Sequence, residues 1–219
     1  MNAETASPED QPVPARSRVR KDPEARRAEI VASARDIFAT VGYAESGLAD
    51  VAEGAHVSKG LVYHYFPDGK HELISAALAH AEGSVGQTLT TIFCKPVAIR
   101  QKIRALFSTT GKHLEASRFA KGCPVGAVTL DLDEKSEALR SVCRRVFDTW
   151  AGCIATGLYE VPITKRRSVA LWILATLEGA LVLARADGDL KSFRRNGDWL
   201  ADALTLNFPP RLGAKSRAV

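Results

Sequence analysis

SGLADVAEGAHVSKGLVYHYF, residues 46–66, followed by PDGK, residues 67–70, is the stretch that decides how this chain is read. It holds two short apolar-periodic segments. Leu48, Val51, Ala52 and Ala55 share one face of the first, and Val62 and Phe66 lie four apart on the second. Only Ala55-His56-Val57-Ser58 separates them, and so short a link makes two helices cross steeply, as in a helix-turn-helix. Val57 is an apolar plug just after the turn. His56 is expected at the left-handed turn position, which histidine tolerates better than most non-glycine residues. Ser46 and Ser58 are the expected N-caps of the two helices, whose open N–H groups favour phosphate.

The faces of the second of these helices divide the work. Val62 and Phe66 point to a core, while Lys59, Gly60, Tyr63 and His64 fall opposite and Leu61 and Tyr65 lie along the flank. A merely solvated face would carry Glu, Lys or Gln. This one suits a DNA groove: Lys59 for a base acceptor or phosphate, Gly60 for close backbone approach, Leu61 for a thymine methyl, tyrosine hydroxyls for phosphates. Lys70 is expected in the first turn of the next helix, the unfavourable end for a cation, and a phosphate bound there would reconcile the two.

Outward from this stretch the chain reads as helix after helix. Asp22-Pro23 starts the first, with Ile30, Ala34, Ile37, Phe38 and Val41 at helical spacing and Gly42 as its stop. Asp68 is expected to start a helix bearing Leu73, Ile74, Ala77 and Leu78. Further helices are expected over about 96–115, after the Gly122-Cys123-Pro124 break, over 134–158, over the nearly all-apolar 170–186, and over 189–206. No strand or internal repeat is evident. The expectation is an all-α protein: a basic, disordered arm (1–22), a three-helix helix-turn-helix unit (23–68), a larger C-terminal bundle (69–208) and a polar tail (209–219).

Composition sets the outer limits. Among 219 residues, 46% are hydrophobic and 25% charged, the profile of an ordinary soluble globular protein. No apolar run is expected to reach the ~20 residues of a bilayer span, and the N-terminus lacks the apolar core of a secretory signal. The expected setting is cytoplasmic, on the nucleoid when DNA is bound, with no membrane partner. The net charge of +5 combines −3 over residues 1–15, +4 over 16–27, −4 over 28–80 and +8 over 81–219, so position rather than total charge must locate a nucleic-acid surface. Cys94, Cys123, Cys143 and Cys153 form no C-x-x-C pair, which argues against zinc and for buried small apolar thiols.

The run from Ala25 to Leu78, with RRAEIVASARDIFATVGY, SGLADVAEGAHVSKGLVYHYF and GKHELISAAL, resembles the DNA-binding domain of the TetR family of bacterial repressors. The segment FAKGCPVGAVTLD, with the longer FPDGK turn, resembles that family's LmrA/YxaF-type branch. The resemblance implies a homodimer on double-stranded DNA at a palindromic operator, released when a small-molecule effector enters the C-terminal domain. Its contact pattern falls on Ser46, Lys59, Gly60, Leu61, Tyr63, His64, Tyr65 and Lys70, with Ser58 capping. Two residues depart from it: His56 stands for a turn glycine and Gly47 for a second hydroxyl. The lost phosphate contact is expected to be made good by the arm, through Arg18 and Arg20 in the minor groove or on phosphates.

The C-terminal bundle carries no G-x-S-x-G, H-E-x-x-H or P-loop, so neither an enzyme nor a cofactor or metal is expected. It is rich in large apolar residues, and Phe107, Phe119, Phe147, Trp150 and Trp172 are the candidate walls of a pocket for an aromatic, amphipathic ligand, with Cys123 and Glu178 beside them. Tyr159 belongs to the same aromatic set. Glu178, in an otherwise apolar helix, is expected to pair with Arg185; the alternative is that it faces a pocket or a partner subunit. The last two helices are the expected dimer contact, with Gly179 allowing close approach. A thiol-switch repressor acting through Cys123 is the competing reading, for which Lys121 is the nearest sequence neighbour able to lower a thiol pKa.

Overall fold

The computed structural model describes residues 22–134 and 136–209, and every described element is helical. The basic arm with Arg18 and Arg20, and the tail beyond residue 209, lie outside the described residues. Helix α1 (Pro23–Val41) starts at Asp22, whose carboxylate accepts from the Glu24 amide at 3.3 Å, and stops at Gly42 (φ 82°). The helix-turn-helix follows as α2 (Leu48–Gly54) and α3 (Lys59–Tyr65). His56 takes φ 55° in the turn, as expected, and the Val57 amide closes it onto the Ala52 carbonyl at 2.9 Å.

Ser46 does not cap α2. Gly47 holds that position, and the Asp50 carboxylate reaches back to the Gly47 amide at 2.8 Å. Ser46 is buried, its hydroxyl donating to the Tyr43 carbonyl at 2.8 Å, because the α1–α2 turn needs that internal bond. Ser58 does cap α3, accepting from the Leu61 amide at 3.2 Å. Ile30, Ala34, Phe38, Val51, Val62 and Phe66 close the small core and are all at most 2% exposed. Each large apolar side chain so buried contributes about 1.5–3 kcal/mol.

Helix α4 (Lys70–Phe93) starts two residues after Asp68, with Gly69 (φ 68°) rather than Asp68 at its N-cap. The bundle continues with α5 (Ile99–Ala116), α6 (Pro124–Leu130), α7 (Glu137–Thr156), a 3-10 turn at Ile163–Lys165, α8 (Arg166–Asp187) and α9 (Lys191–Asn207). Helices α4 and α7 pack along each other, as do α5 and α9, and α8 lies against α7 and α9. Helix α1 joins the two parts by packing on α2, α4 and α6.

Behind the bundle, Lys102 is buried and donates to the Gly157 carbonyl at 2.6 Å, with its ammonium 4.3 Å from the centre of the Tyr159 ring. Burial lowers its pKa, and Glu160 works against that shift. Glu160 accepts from the Ile99 amide at 3.0 Å, so this cluster ties the start of α5 to the end of α7.

Contrary to the sequence expectation, Ile163–Asp187 is by length and composition long and apolar enough to cross a membrane. The fold accounts for half of that apolarity. Val169, Ala170, Ile173, Leu174, Leu177 and Leu181 face inward, while Leu171, Trp172, Ala175, Gly179, Val182 and Leu183 form an exposed stripe.

Candidate nucleic-acid interface and ligand cavity

Helix α3 presents the face that its sequence predicts. Lys59, Gly60, Tyr63 and His64 are exposed, Leu61 and Tyr65 are half-buried, and Val62 and Phe66 anchor the opposite side. The His64 and Tyr65 rings meet edge to face at 5.3 Å, which holds both aromatics on one flank. A side chain at Gly60 would meet only the Ser58 hydroxyl, at 3.9 Å, so the backbone there is open to a close-lying ligand. Ser58 is exposed beside it.

Lys70 differs from the sequence reading. Its ammonium donates to the Ala44 carbonyl at 3.3 Å and lies 4.3 Å from the centre of the Tyr43 ring. A cation in the first turn therefore has protein partners away from the helix end, and no phosphate is required to explain it. Burial lowers its pKa, with Asp131 acting in the opposite sense.

A cavity of about 530 Å³ opens between α1, α4, α5, α6, α7 and α8. Leu106, Leu114, Leu174, Leu177 and Leu181 line it, with Trp150 among them. Of the seven residues that sequence reasoning nominated for ligand contact, Cys123, Trp150 and Glu178 line this space and the others do not. Phe107 packs against Phe193 at 4.9 Å in the α5–α9 contact. Phe147 stands edge to face behind Trp150 at 5.7 Å. Phe119 adopts φ 61° in the loop before α6, and Trp172 points outward on α8. Leucine dominates this wall, and leucines look the same in sequence whether they face a cavity or a core.

At the mouth, Asp36 accepts from Arg35 and Lys121, each at 2.7 Å. Burial works to raise the Asp36 pKa, but the bonds from Lys121 and Arg35 outweigh it and hold the carboxyl below its usual range. Deeper in, Glu178 does not pair with Arg185. The Arg185 guanidinium turns instead to the Phe119 carbonyl at 3.3 Å and the Thr40 carbonyl at 3.4 Å, because the loop before α6 sits against its side of α8. Glu178 meets the Cys123 thiol and the start of α6, where a Cβ on Gly126 would come within 2.8 Å of its Oε2. Burial raises the Glu178 pKa, partly offset by the Cys123 thiol.

Cys123 caps α6, its sulfur accepting from the Gly126 amide at 3.3 Å. Burial pushes its thiol pKa well up and the Glu178 carboxylate adds to the shift. The Cys123 surroundings thus favour the thiol over the reactive thiolate, opposite to what a thiol switch needs. The wider expectation of buried cysteines holds for Cys143, whereas Cys94 is exposed at the end of α4.

One set of contacts was absent from the sequence reading. Helix α6 is fastened to α1 and the α1–α2 turn at both ends. Before its start, the Gly122 amide donates to the Ala39 carbonyl at 2.9 Å. At its end, the Asp131 carboxylate accepts from the Tyr43 amide at 2.6 Å and the Ala44 amide at 2.9 Å. The Asp131 oxygen would lie 2.6 Å from a Cβ on Gly42, so that left-handed position has a steric reason for glycine as well as a conformational one.

Comparison with known proteins agrees with both halves of this geometry. The family model for bacterial regulatory proteins of the tetR family matches residues 30–77, and that for the LmrA/YxaF-like transcriptional regulator C-terminal domain matches residues 100–198. The HTH-type transcriptional regulator YxaF of Bacillus subtilis is 27% identical over 165 residues, spanning 74% of this chain and 86% of that protein. LmrA of the same organism is 24% identical over 160 residues, spanning 72% and 85%. A TetR transcriptional regulator from Chloroflexus aurantiacus superposes with a TM-score of 0.69 at 26% identity, covering 83% of this chain and 95% of that one. One from Legionella pneumophila gives a TM-score of 0.73 at 19% identity, covering 84% and 97%.

Proposed function

This chain belongs to the TetR family of DNA-binding transcriptional regulators, and from that premise we propose that it is a homodimeric repressor released from a palindromic operator by a small amphipathic ligand. The reading unit spans residues 23–68 and the ligand and dimer unit residues 69–208. Lys59, Gly60, Leu61, Tyr63, His64 and Tyr65 meet the major groove. Ser58, Arg18 and Arg20 contact the backbone. Lys70 reaches a phosphate only by giving up its bonds to Ala44 and Tyr43. Ser46 has no direct contact, since its hydroxyl is buried.

The observation that carries this reading is the double role of α6. Its first turn walls the cavity through Cys123 and Pro124, and its flanks are hydrogen-bonded to α1 and the α1–α2 turn. A ligand that displaces this wall changes the seat of the helix-turn-helix, and a modest differential affinity then shifts the population off DNA. The exposed apolar residues along α8, with Trp199 and Leu206 exposed on α9, support dimerisation through these two helices. A two-fold contact there sets the two α3 helices about one DNA turn, ~34–36 Å, apart.

Selection of genomic fragments by the full-length protein, with sedimentation analysis of the complex, tests the reading. The expected result is an inverted repeat with half-sites one turn apart, bound by a dimer. A monomer at micromolar concentration, or recovery of no preferred sequence, removes the proposal.

A further inference from the structure

The inner wall of the cavity specifies the charge of its occupant. Four of the ionisable residues lining it are accounted for at the rim: Asp36 bonds to both Arg35 and Lys121, and His113 is exposed to solvent. Glu178 is different. It sits inside, on the face of α8 that also carries Leu174, Leu177 and Leu181, across from Cys123 at the start of α6. No ion pair among the described residues reaches it, and Arg185, the cation placed to do so by sequence, is committed to the Phe119 and Thr40 carbonyls. Its polar neighbour is the Cys123 thiol, a weak donor.

A carboxyl in an apolar site is costly to ionise unless a cation or strong donor meets it. An anionic ligand would add like charge to that cost. A neutral apolar ligand would expel water from the carboxyl and return nothing. A ligand that brings a positively charged N–H group reverses the balance, because a charge-assisted bond in a water-poor cavity is among the strong ones. Its apolar body would then lie along the leucine wall against Trp150.

We propose that the effector is a hydrophobic amine, carried as its ammonium form, whose N–H donates to the Glu178 carboxylate while an aromatic or aliphatic body fills the space beside Trp150. This rests on the cavity being the effector site, as in the proposed function, and adds the chemical class. Glu178 is the specificity determinant, and Cys123 accompanies it as a neutral thiol. The discrimination is built from a repulsive element as much as an attractive one, since the same carboxylate excludes organic acids of equal shape.

A matched probe series decides the matter: 1-naphthylmethylamine, 1-naphthalenemethanol and 1-naphthoate, titrated calorimetrically into the full-length protein without DNA. The amine is expected to bind about tenfold or more tightly than the alcohol, the order of a hydrogen bond to a charged group, with the naphthoate weakest. Glu178→Gln is expected to bring the amine to the level of the alcohol while the alcohol changes by no more than about twofold. The wild-type series alone is decisive if the variant folds poorly. Equal binding of amine and alcohol, a preference for the naphthoate, a preference retained in Glu178→Gln, or no amine binding at millimolar concentration would each overturn the proposal. A parallel operator-release assay separates this inference from the functional reading. Glu178-dependent amine binding without release overturns the amine as effector, while operator binding itself leaves the repressor reading standing. Release by neutral ligands, undiminished in Glu178→Gln, overturns the inference and leaves repression standing.

Discussion

Replacing Asp131 by Ala isolates the tie between the cavity wall and the DNA-reading unit. The carboxylate accepts two backbone bonds, from Tyr43 at 2.6 Å and Ala44 at 2.9 Å. Bonds to a charged acceptor contribute about 1.5–3 kcal/mol each where water is excluded. Asp131 and Ala44 are exposed, so water recovers much of that and about 1–2 kcal/mol for the pair is the reasonable figure. Two readouts follow. Denaturant unfolding of Asp131→Ala should fall by that amount, and Asp131→Asn, whose amide oxygen can replace the one oxygen (Oδ2) that accepts both bonds, should lose only the contribution of the charge, about half. Amide hydrogen exchange should quicken at Tyr43 and Ala44 far more than in the α5–α9 contact, roughly tenfold for each 1.4 kcal/mol of local opening. The same variant should hold operator less responsively, with the ligand-induced change in affinity reduced severalfold. Unchanged exchange at both amides together with an unchanged ligand response would refute the account of α6 as the connection.

Lys59→Ala should lower operator affinity and also alter the preferred sequence, whereas Tyr63→Phe should weaken all sequences alike; fluorescence anisotropy against a panel of half-site variants distinguishes them. Lys102→Met should destabilise by about 1–3 kcal/mol, since it leaves the Gly157 carbonyl without its donor, and thermal unfolding of the variant at or above the wild-type midpoint would contradict that. Glu178→Gln should stabilise the ligand-free protein near neutral pH. The folded state holds the Glu178 proton more tightly than the unfolded chain, so wild-type stability falls as pH rises from the ordinary carboxylate range through the raised folded value. Below that range the variant and wild type should unfold alike, and a constant difference at all pH values would show that burial of the charge is not the cause.

Much of the architecture was legible because local rules agreed with it. The spacing of Val51, Ala52, Val62 and Phe66 and the four-residue link gave the helix-turn-helix, and the left-handed His56 followed from the same geometry. Ser46 was misread because a hydroxyl residue one position from a helix start satisfies the rule for a cap, while the actual cap uses the Asp50 side chain reaching back to Gly47. The cavity was less legible. Phe107, Phe147 and Trp172 are as large and apolar as a ligand wall requires, but Phe107 packs against Phe193 from a distant helix, Phe147 stands behind Trp150, and Trp172 faces outward. Glu178 failed for a related reason: seven-residue spacing places Arg185 on its face of α8, and only the position of the 117–123 loop draws the guanidinium away. Asp131 gave no local signal at all, its two partners being 87 and 88 residues distant.

The links from Lys121, Gly122, Asp131 and Arg185 all land on one short span, Asp36 to Ala44. The reading head is thus joined to the body by a second, non-covalent strap besides the peptide that runs from α3 into α4. On the proposed ligand-controlled reading, grafting the head of one relative onto the body of another is expected to preserve sequence reading but lose the ligand response unless residues 36–44 and 121–131 travel as a matched set. That strap runs across the boundary at which the two helical parts would ordinarily be divided.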